Sequence, residues 1–116
     1  MMKAGQVILF RFPDTDLNEG KLRPALLLGK LPGSYGDWLI SMISSQTRQF
    51  VPGFDELIDE TAGDFSPSGL KMASVIRVGR LAVVDEKILV GAVGQIDPER
   101  LLRIKSRLTE WINGAL

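Results

Sequence analysis

The sequence predicts a mainly β domain, a small barrel of short, bent strands closed by one C-terminal α-helix. Three observations carry this. Apolar runs of strand length follow one another, separated by clusters of Gly, Pro and Asp. Glycines fall inside those runs as well as between them (Gly91 and Gly94 inside), where they mark the bulges and sharp bends that small barrels use at their corners. Only the final segment changes to a helical spacing of apolar residues, behind an Asp97-Pro98 start signal.

In order along the chain, Gln6–Phe12 is a strand by composition and flanks, opened by Gly5 and ended by Pro13. Pro13–Gly20 is polar and turn-rich, hence a loop. Arg23–Leu28 reads as a second strand in which Pro24 is tolerable near the start or on an edge. Leu31–Asp37 is another turn cluster, and Trp38–Ser44 is a third strand, apolar enough to be central. Residues 45–69 are broken by Pro52, Gly53, Gly63, Pro67 and Gly69, and Asp55–Glu60 within them fits either a short strand or a helical turn. Two short strands around Gly79 follow, Ala73–Val78 and Leu81–Val84, and then Leu89–Ile96. The helix begins with Asp97 as N-cap, Pro98 at the first helical position and Glu99 in the first turn. Leu101, Ile104, Leu108, Trp111 and Ile112 form its apolar stripe, which predicts a buried Trp111, and Gly114 stops it. Arg100, Arg103, Lys105 and Arg107 fall mostly outside the stripe and read as a solvated face.

A chain of 116 residues is long enough for one hydrophobic core and too short for two, so 1–116 is expected to be a single domain. No apolar stretch approaches the roughly 20 residues of a membrane span. Met1–Gly5 runs straight into the first strand without the apolar region of a signal peptide, and there is no cysteine to pair. A cytoplasmic protein is the expectation. Absence of both His and Cys also narrows the chemistry. Zinc sites take Cys or His in nearly every case, and serine or cysteine nucleophile systems need an imidazole. Carboxylate, Arg, Lys, Tyr and hydroxyl groups remain.

Formal net charge is zero, but the charge is uneven. Residues 1–53 hold six basic and four acidic groups; residues 54–69 hold five acidic groups and no basic ones; residues 70–116 hold eight basic and five acidic groups. A local basic face is compatible with this distribution, and the acidic segment is expected to face solvent.

Three stretches together resemble the MazF/PemK toxin family of the CcdB/MazF superfamily. Ala4-Gly5-Gln6-Val7-Ile8-Leu9 followed by Phe12-Pro13 is similar to that family's opening "G-D-V" strand. Gly20-Lys21-Leu22-Arg23-Pro24-Ala25-Leu26-Leu27-Leu28 matches its "GK-x-RPALVL" signature, and Gly69–Arg77 parallels a later "GL-x-x-x-SV-I/V-R" element. Order and spacing agree, and the resemblance spans nearly the whole chain. It implies an SH3-like barrel that forms a homodimer and belongs to a type II toxin–antitoxin system. The implied activity is that of an endoribonuclease cleaving single-stranded RNA, chiefly messenger RNA, neutralised by a small antitoxin. Neither metal nor cofactor is implied, because the RNA's own 2′-OH serves as nucleophile and the products are a 2′,3′-cyclic phosphate and a 5′-hydroxyl. The chain departs from the family at Gln6, where Asp or Glu is usual, at Ala73, where Asp often precedes Ser-Val, and at Ser44-Ser45-Gln46, which replaces "T-x-Q".

Carried onto these positions, the resemblance makes Arg23 and Ser44 the catalytic candidates. A guanidinium grips a phosphate bidentately and stabilises the charge that develops in a phosphorane-like transition state. A guanidinium keeps its proton far above neutral pH, which disqualifies it as a base there. On the residues alone Arg23 also reads as a strand-start arginine paired with an acid such as Glu19, and Ser44 as a strand-end serine bonding local backbone. Gln46 is a candidate for orienting phosphate or base, and Arg11, Lys21 and Arg48 for contacting the RNA backbone. No residue stands out as the general base: Asp14 and Asp16 could accept the 2′-OH proton, but turn chemistry is the readier account of both. Phe50, Phe54 and Tyr35 are available to stack on bases, while Trp38 reads as core. Two other readings share the fold: a catalytically silent relative that only binds antitoxin or nucleic acid, and a CcdB-like gyrase inhibitor. The second fits less well, because the terminus has Trp111-Ile112-Asn113 where those inhibitors carry Trp-Gly-Ile.

Overall fold

The structure is a computed structural model and describes residues 2–11 and 21–114. Six strands form one antiparallel sheet in the order β4-β5-β3-β2-β1-β6. They are β1 (Gln6–Arg11), β2 (Leu22–Lys30), β3 (Asp37–Ser44), β4 (Glu56–Ile58), β5 (Ser74–Asp85) and β6 (Leu89–Gln95). A four-residue helix α1 (Phe65–Ser68) and the C-terminal helix α2 (Pro98–Ile112) complete the fold. Among the described residues no helix is long and apolar enough to cross a membrane.

The central strands are apolar on both faces, so alternate residues enter two different cores. Val7, Leu26, Leu28, Ile43 and Ile76 point to one side, where Ile104 and Leu108 of α2 cover them. Ile8, Phe10, Ala25, Leu27 and Ile40 point to the other, together with Trp38, which is core as expected. That second cluster also takes Leu89 from the start of β6 and Ala82 and Val84 from the end of β5. β4 pairs only with the first residues of β5, and a short 3₁₀ turn, Glu86–Ile88, joins the end of β5 to β6. The sheet therefore curls around the second cluster as a small barrel, with α2 packed outside it. This is the predicted architecture.

The bends lie where the glycines predicted them. Pairing of β1 with β6 shifts twice, leaving Val93 and Val90 as extra residues beside Gly94 and Gly91. Gly94 has a further reason: a Cβ there would lie 2.1 Å from the Pro67 carbonyl oxygen. Gly69, with φ +75°, would likewise bring a Cβ to 2.3 Å from the Val93 carbonyl oxygen. Only glycine at both positions lets the α1 turn lie directly on β6.

Three expectations need correction. The two short strands around Gly79 are one strand, β5, made continuous by a large bulge. Trp111 is 52% exposed, because it lies in the last turn of α2, beyond the end of the first core; its ring meets Phe54 edge-on, with centroids 6.0 Å apart. The acidic segment does not face solvent as a whole. Asp55, Glu56 and Asp64 are buried, and the supposedly solvated arginines of α2 reach them. Arg100 donates to Asp64 Oδ2 at 2.7 Å and to Glu56 Oε1 at 3.0 Å, Arg103 donates to Glu56 Oε1 at 2.9 Å, and Arg107 pairs with Glu56 Oε2. Asp64 also accepts the backbone N–H of Asp97, which fixes the start of α2 without a side-chain cap. Burial pushes the Asp64 carboxyl up, but hydrogen bonds from Arg100 and Asp97 outweigh it and hold the group below its ordinary value.

Candidate functional site

β2 and β3 are antiparallel neighbours, with Ala25 opposite Met42. Two residues outward from that pair stand Arg23, at the start of β2, and Ser44, at the end of β3. Both side chains line a groove of about 940 Å³, which the start of β2, the end of β3, the β5 bulge and residues 69–74 surround. Pro24 is placed where β2 pairs with β1 and the ladder to β3 has not begun, which is how an otherwise central strand accommodates it.

The electrostatics of this groove are one-sided. Lys21, Arg23, Lys71, Arg77 and Arg80 line it, and among the described residues no carboxylate does. A chain of zero formal charge thus concentrates five cations in one concavity, because buried pairs with α2 and Arg77 engage three acids of the 54–69 segment. The Arg23 side chain is exposed and has no hydrogen bond or ion pair with any described residue. The suggested partner Glu19 lies outside the described residues, as do Asp14 and Asp16.

Ser44 Oγ accepts the backbone N–H of Gln46 at 3.1 Å, so the local role expected of a strand-end serine is present. Its hydroxyl proton donates to no described group and stays available to an acceptor in the groove. Gln46 also lines the groove, and its Oε1 accepts from Arg48 at 3.0 Å, so Arg48 stands behind Gln46 and is not part of the lining. Arg11, at the exposed end of β1 opposite Leu22, is not part of the lining either. The groove therefore brings together Lys21, Arg23, Ser44 and Gln46 and omits Arg11 and Arg48.

The aromatic residues expected to stack on bases, Phe50, Phe54 and Tyr35, do not line the groove. No aromatic residue lines the groove among those described; its apolar surface includes Leu22 and Met72, 43% and 60% exposed. A thioether and a leucine offer bases a polarisable, unspecific surface. Lys71, Arg77, Arg80 and Gln49 are among the lining residues that sequence reasoning did not select. The signal for two of them was the Arg-Val-Gly-Arg run inside a strand, since a glycine flanked by cations in a β-run marks a bulge that can carry charge. Among the described residues no three His, Cys, Asp or Glu side chains cluster as metal ligands.

This arrangement can bind polyanions and stabilise a phosphate that gains charge. A family model described as PemK-like, MazF-like toxin of type II toxin–antitoxin systems matches residues 3–112. No curated protein sequence matches the chain significantly. Among solved structures, the MazE–MazF complex (Form-III) from Deinococcus radiodurans superposes with a TM-score of 0.71 at 16% identity, covering 97% of this chain and 96% of that one. MazF (Form-I) from the same organism gives 0.67 at 18% identity, covering 97% and 96%. The Mycobacterium tuberculosis toxin MazF-mt6 gives 0.59 at 18% identity, covering 95% and 94%. At such identities the likeness is one of fold.

Proposed function

The chain belongs to the PemK-like, MazF-like toxins of type II toxin–antitoxin systems, and on that premise we propose that it is an endoribonuclease that cuts single-stranded RNA, chiefly messenger RNA, without a metal ion. The observation that carries this reading is the cationic groove that Arg23 of β2 and Ser44 of β3 both line. In the proposed reaction the RNA's 2′-oxygen forms a bond to the adjacent phosphorus as the bond from phosphorus to the 5′-oxygen breaks. The 2′ proton passes to a base, and the departing 5′-oxygen takes up a proton. Products are a 2′,3′-cyclic phosphate and a 5′-hydroxyl.

Arg23 binds the scissile phosphate and opposes the charge that accumulates on its non-bridging oxygens. Ser44 donates its hydroxyl proton to one of those oxygens, and Gln46 beside it orients the phosphate or a base edge. Lys21 holds the flanking backbone, with Arg48 acting through Gln46. Asp14 and Asp16, on the connection between β1 and β2, are the carboxylates carried forward as the base. The active species is a homodimer that works in the cytoplasm and is silenced by a small antitoxin. The antitoxin is supported by the MazE–MazF complex and by a mycobacterial endoribonuclease solved with its cognate antitoxin.

The test compares wild type with Arg23→Ala on a long single-stranded RNA, with and without EDTA. Cutting by wild type that survives EDTA and disappears in the variant, with its fold intact by circular dichroism, is expected. Cutting abolished by EDTA, or unchanged by the substitution, would refute the assignment. A second reading rests on the exposure of Trp111 and Ile112 at the end of α2, which leaves them accessible to a protein target such as gyrase. Inhibition of gyrase supercoiling without RNA cleavage would select it.

A further inference from the structure

The most heavily built irregularity of the sheet lies in the wall of the groove. Between the pairs Ser41–Leu81 and Ile43–Ile76, residues 77–80 of β5 stand against Met42 alone. A bulge of this size removes several backbone groups from the ladder, and a buried one must satisfy them otherwise. Two buried polar side chains do so. Ser41 Oγ donates to the Arg77 carbonyl oxygen at 2.7 Å, and Asp55 Oδ1 accepts the Val78 N–H at 3.1 Å. Gly79 makes room for the Phe54 ring, which a Cβ there would approach to 3.1 Å. What the bulge presents is two arginines, Arg77 and Arg80, both lining the groove.

Arg77 is held in place. Its Nη1 donates to Gln49 Oε1 at 3.1 Å, and its Nε stands 3.5 Å from Asp55 Oδ2. The second separation is an ion pair and not a hydrogen bond, and Asp55 already accepts from the Val51 and Val78 N–H groups. Arg77 Nη2 has no partner among the described residues. A guanidinium fixed at one end and open at the other is preorganised for an oxyanion.

We infer that the Arg77–Arg80 bulge is a second phosphate-binding station of the groove, taking the backbone phosphate of a nucleotide beside the scissile one. The inference rests on the ribonuclease reading, because the station shares its groove with Arg23 and Ser44. Gln49 is a positioning residue for Arg77. The consequence is a length requirement: RNA too short to reach from Arg23 to the bulge forgoes the station's contribution.

The test measures binding of wild type and variants to a long 2′-O-methyl RNA, which cannot be cut, and to a 2′-O-methyl dinucleotide, over a range of salt. Arg77→Ala is expected to weaken the long RNA roughly tenfold, as loss of a charge-assisted hydrogen bond predicts. It should reduce the slope of log affinity against log salt by about 0.7, the release expected for one single-strand phosphate contact. Dinucleotide binding should stay unchanged. Gln49→Ala keeps the charge and loses the tether, so affinity for the long RNA should fall while the salt slope stays at the wild-type value. Thermal melts confirm that each variant is folded, and Arg80→Ala, on an exposed side chain, provides the same readout independently.

Long-RNA binding unaffected in both arginine variants overturns the inference, as does an equal loss on the dinucleotide. A loss confined to a polyglutamate peptide, with RNA binding intact, makes the bulge a protein-binding surface and overturns it too. Wild type that cuts RNA in an Arg23-dependent way while Arg77→Ala binds normally refutes this inference alone. Wild type that neither binds nor cuts RNA removes both.

Discussion

Replacing Glu56 by Gln tests the junction that holds α2 to the barrel. The Glu56 carboxylate is 7% exposed and receives Arg100 at 3.0 Å, Arg103 at 2.9 Å, and Arg107. The substitution keeps the shape and removes the charge. Breaking a buried ion pair by changing one partner typically costs about 3–5 kcal/mol. Two features place this case at the lower end. Arg103 is 49% exposed, so its share is that of a surface pair, below about 1 kcal/mol. Arg100 keeps Asp64 as partner and is not left as a lone buried cation. A loss of about 3 kcal/mol follows. Unfolding entropy near 2.1 cal/mol/K per residue gives about 0.24 kcal/mol/K for 116 residues, so the Tm should fall by about 12 °C. Far-UV circular dichroism melts at neutral pH measure it. A fall below about 3 °C, equivalent to about 0.7 kcal/mol, would refute the claim that these contacts fasten the helix. Since Glu56 is not part of the groove lining, RNA cleavage well below the melting range should persist.

Two further outcomes are expected. The Asp64 carboxyl is held below its ordinary value, so its stabilising contribution is complete above the unfolded value of about 3.9 and is lost as pH falls through the lower folded value. The difference in urea midpoint between wild type and Asp64→Asn should therefore be level from neutral pH to about 5 and close below about 4; a difference that widens on acidification contradicts the assignment. Ser44→Ala should slow single-turnover RNA cleavage by about 10²-fold, in line with loss of one donor to a developing oxyanion, while Ser44→Thr keeps the rate. An unchanged rate in the alanine variant removes Ser44 from the reaction.

Much of the fold was legible before any coordinates. The strand Trp38–Ser44 is central because its residues are apolar on both faces, and Gly91 and Gly94 lie at the two register shifts between β1 and β6. Pro98 opens α2 as read, with Asp97 at the cap position but making no side-chain cap bond, and Gly114 follows its last turn. Residues 45–69 were unreadable because their order comes from distant contacts. Asp55 is fixed by Val78, Asp64 by Arg100, and the α1 turn by close approach to Gly94. Trp111 misled because helical spacing says which side of α2 is apolar and not how far the core beneath it extends.

The sequence by itself determined the chemical repertoire, with no imidazole and no thiol, and the rhythm of strands and terminal helix, because side-chain chemistry and periodicity are local properties of residues and dihedral angles. It also singled out Lys21, Arg23, Ser44 and Gln46. Tertiary structure alone decided which charges cancel and which act together. Partners such as Arg100 with Asp64, or Arg107 with Glu56, stand 36 and 51 residues apart, and the strength of a charge pair depends on distance and burial, which only packing sets. By engaging the acidic segment in pairs with α2 and with one end of Arg77, the fold leaves Lys71 and Arg80 to join Lys21, Arg23 and the open end of Arg77 in one cationic groove on a chain without net charge.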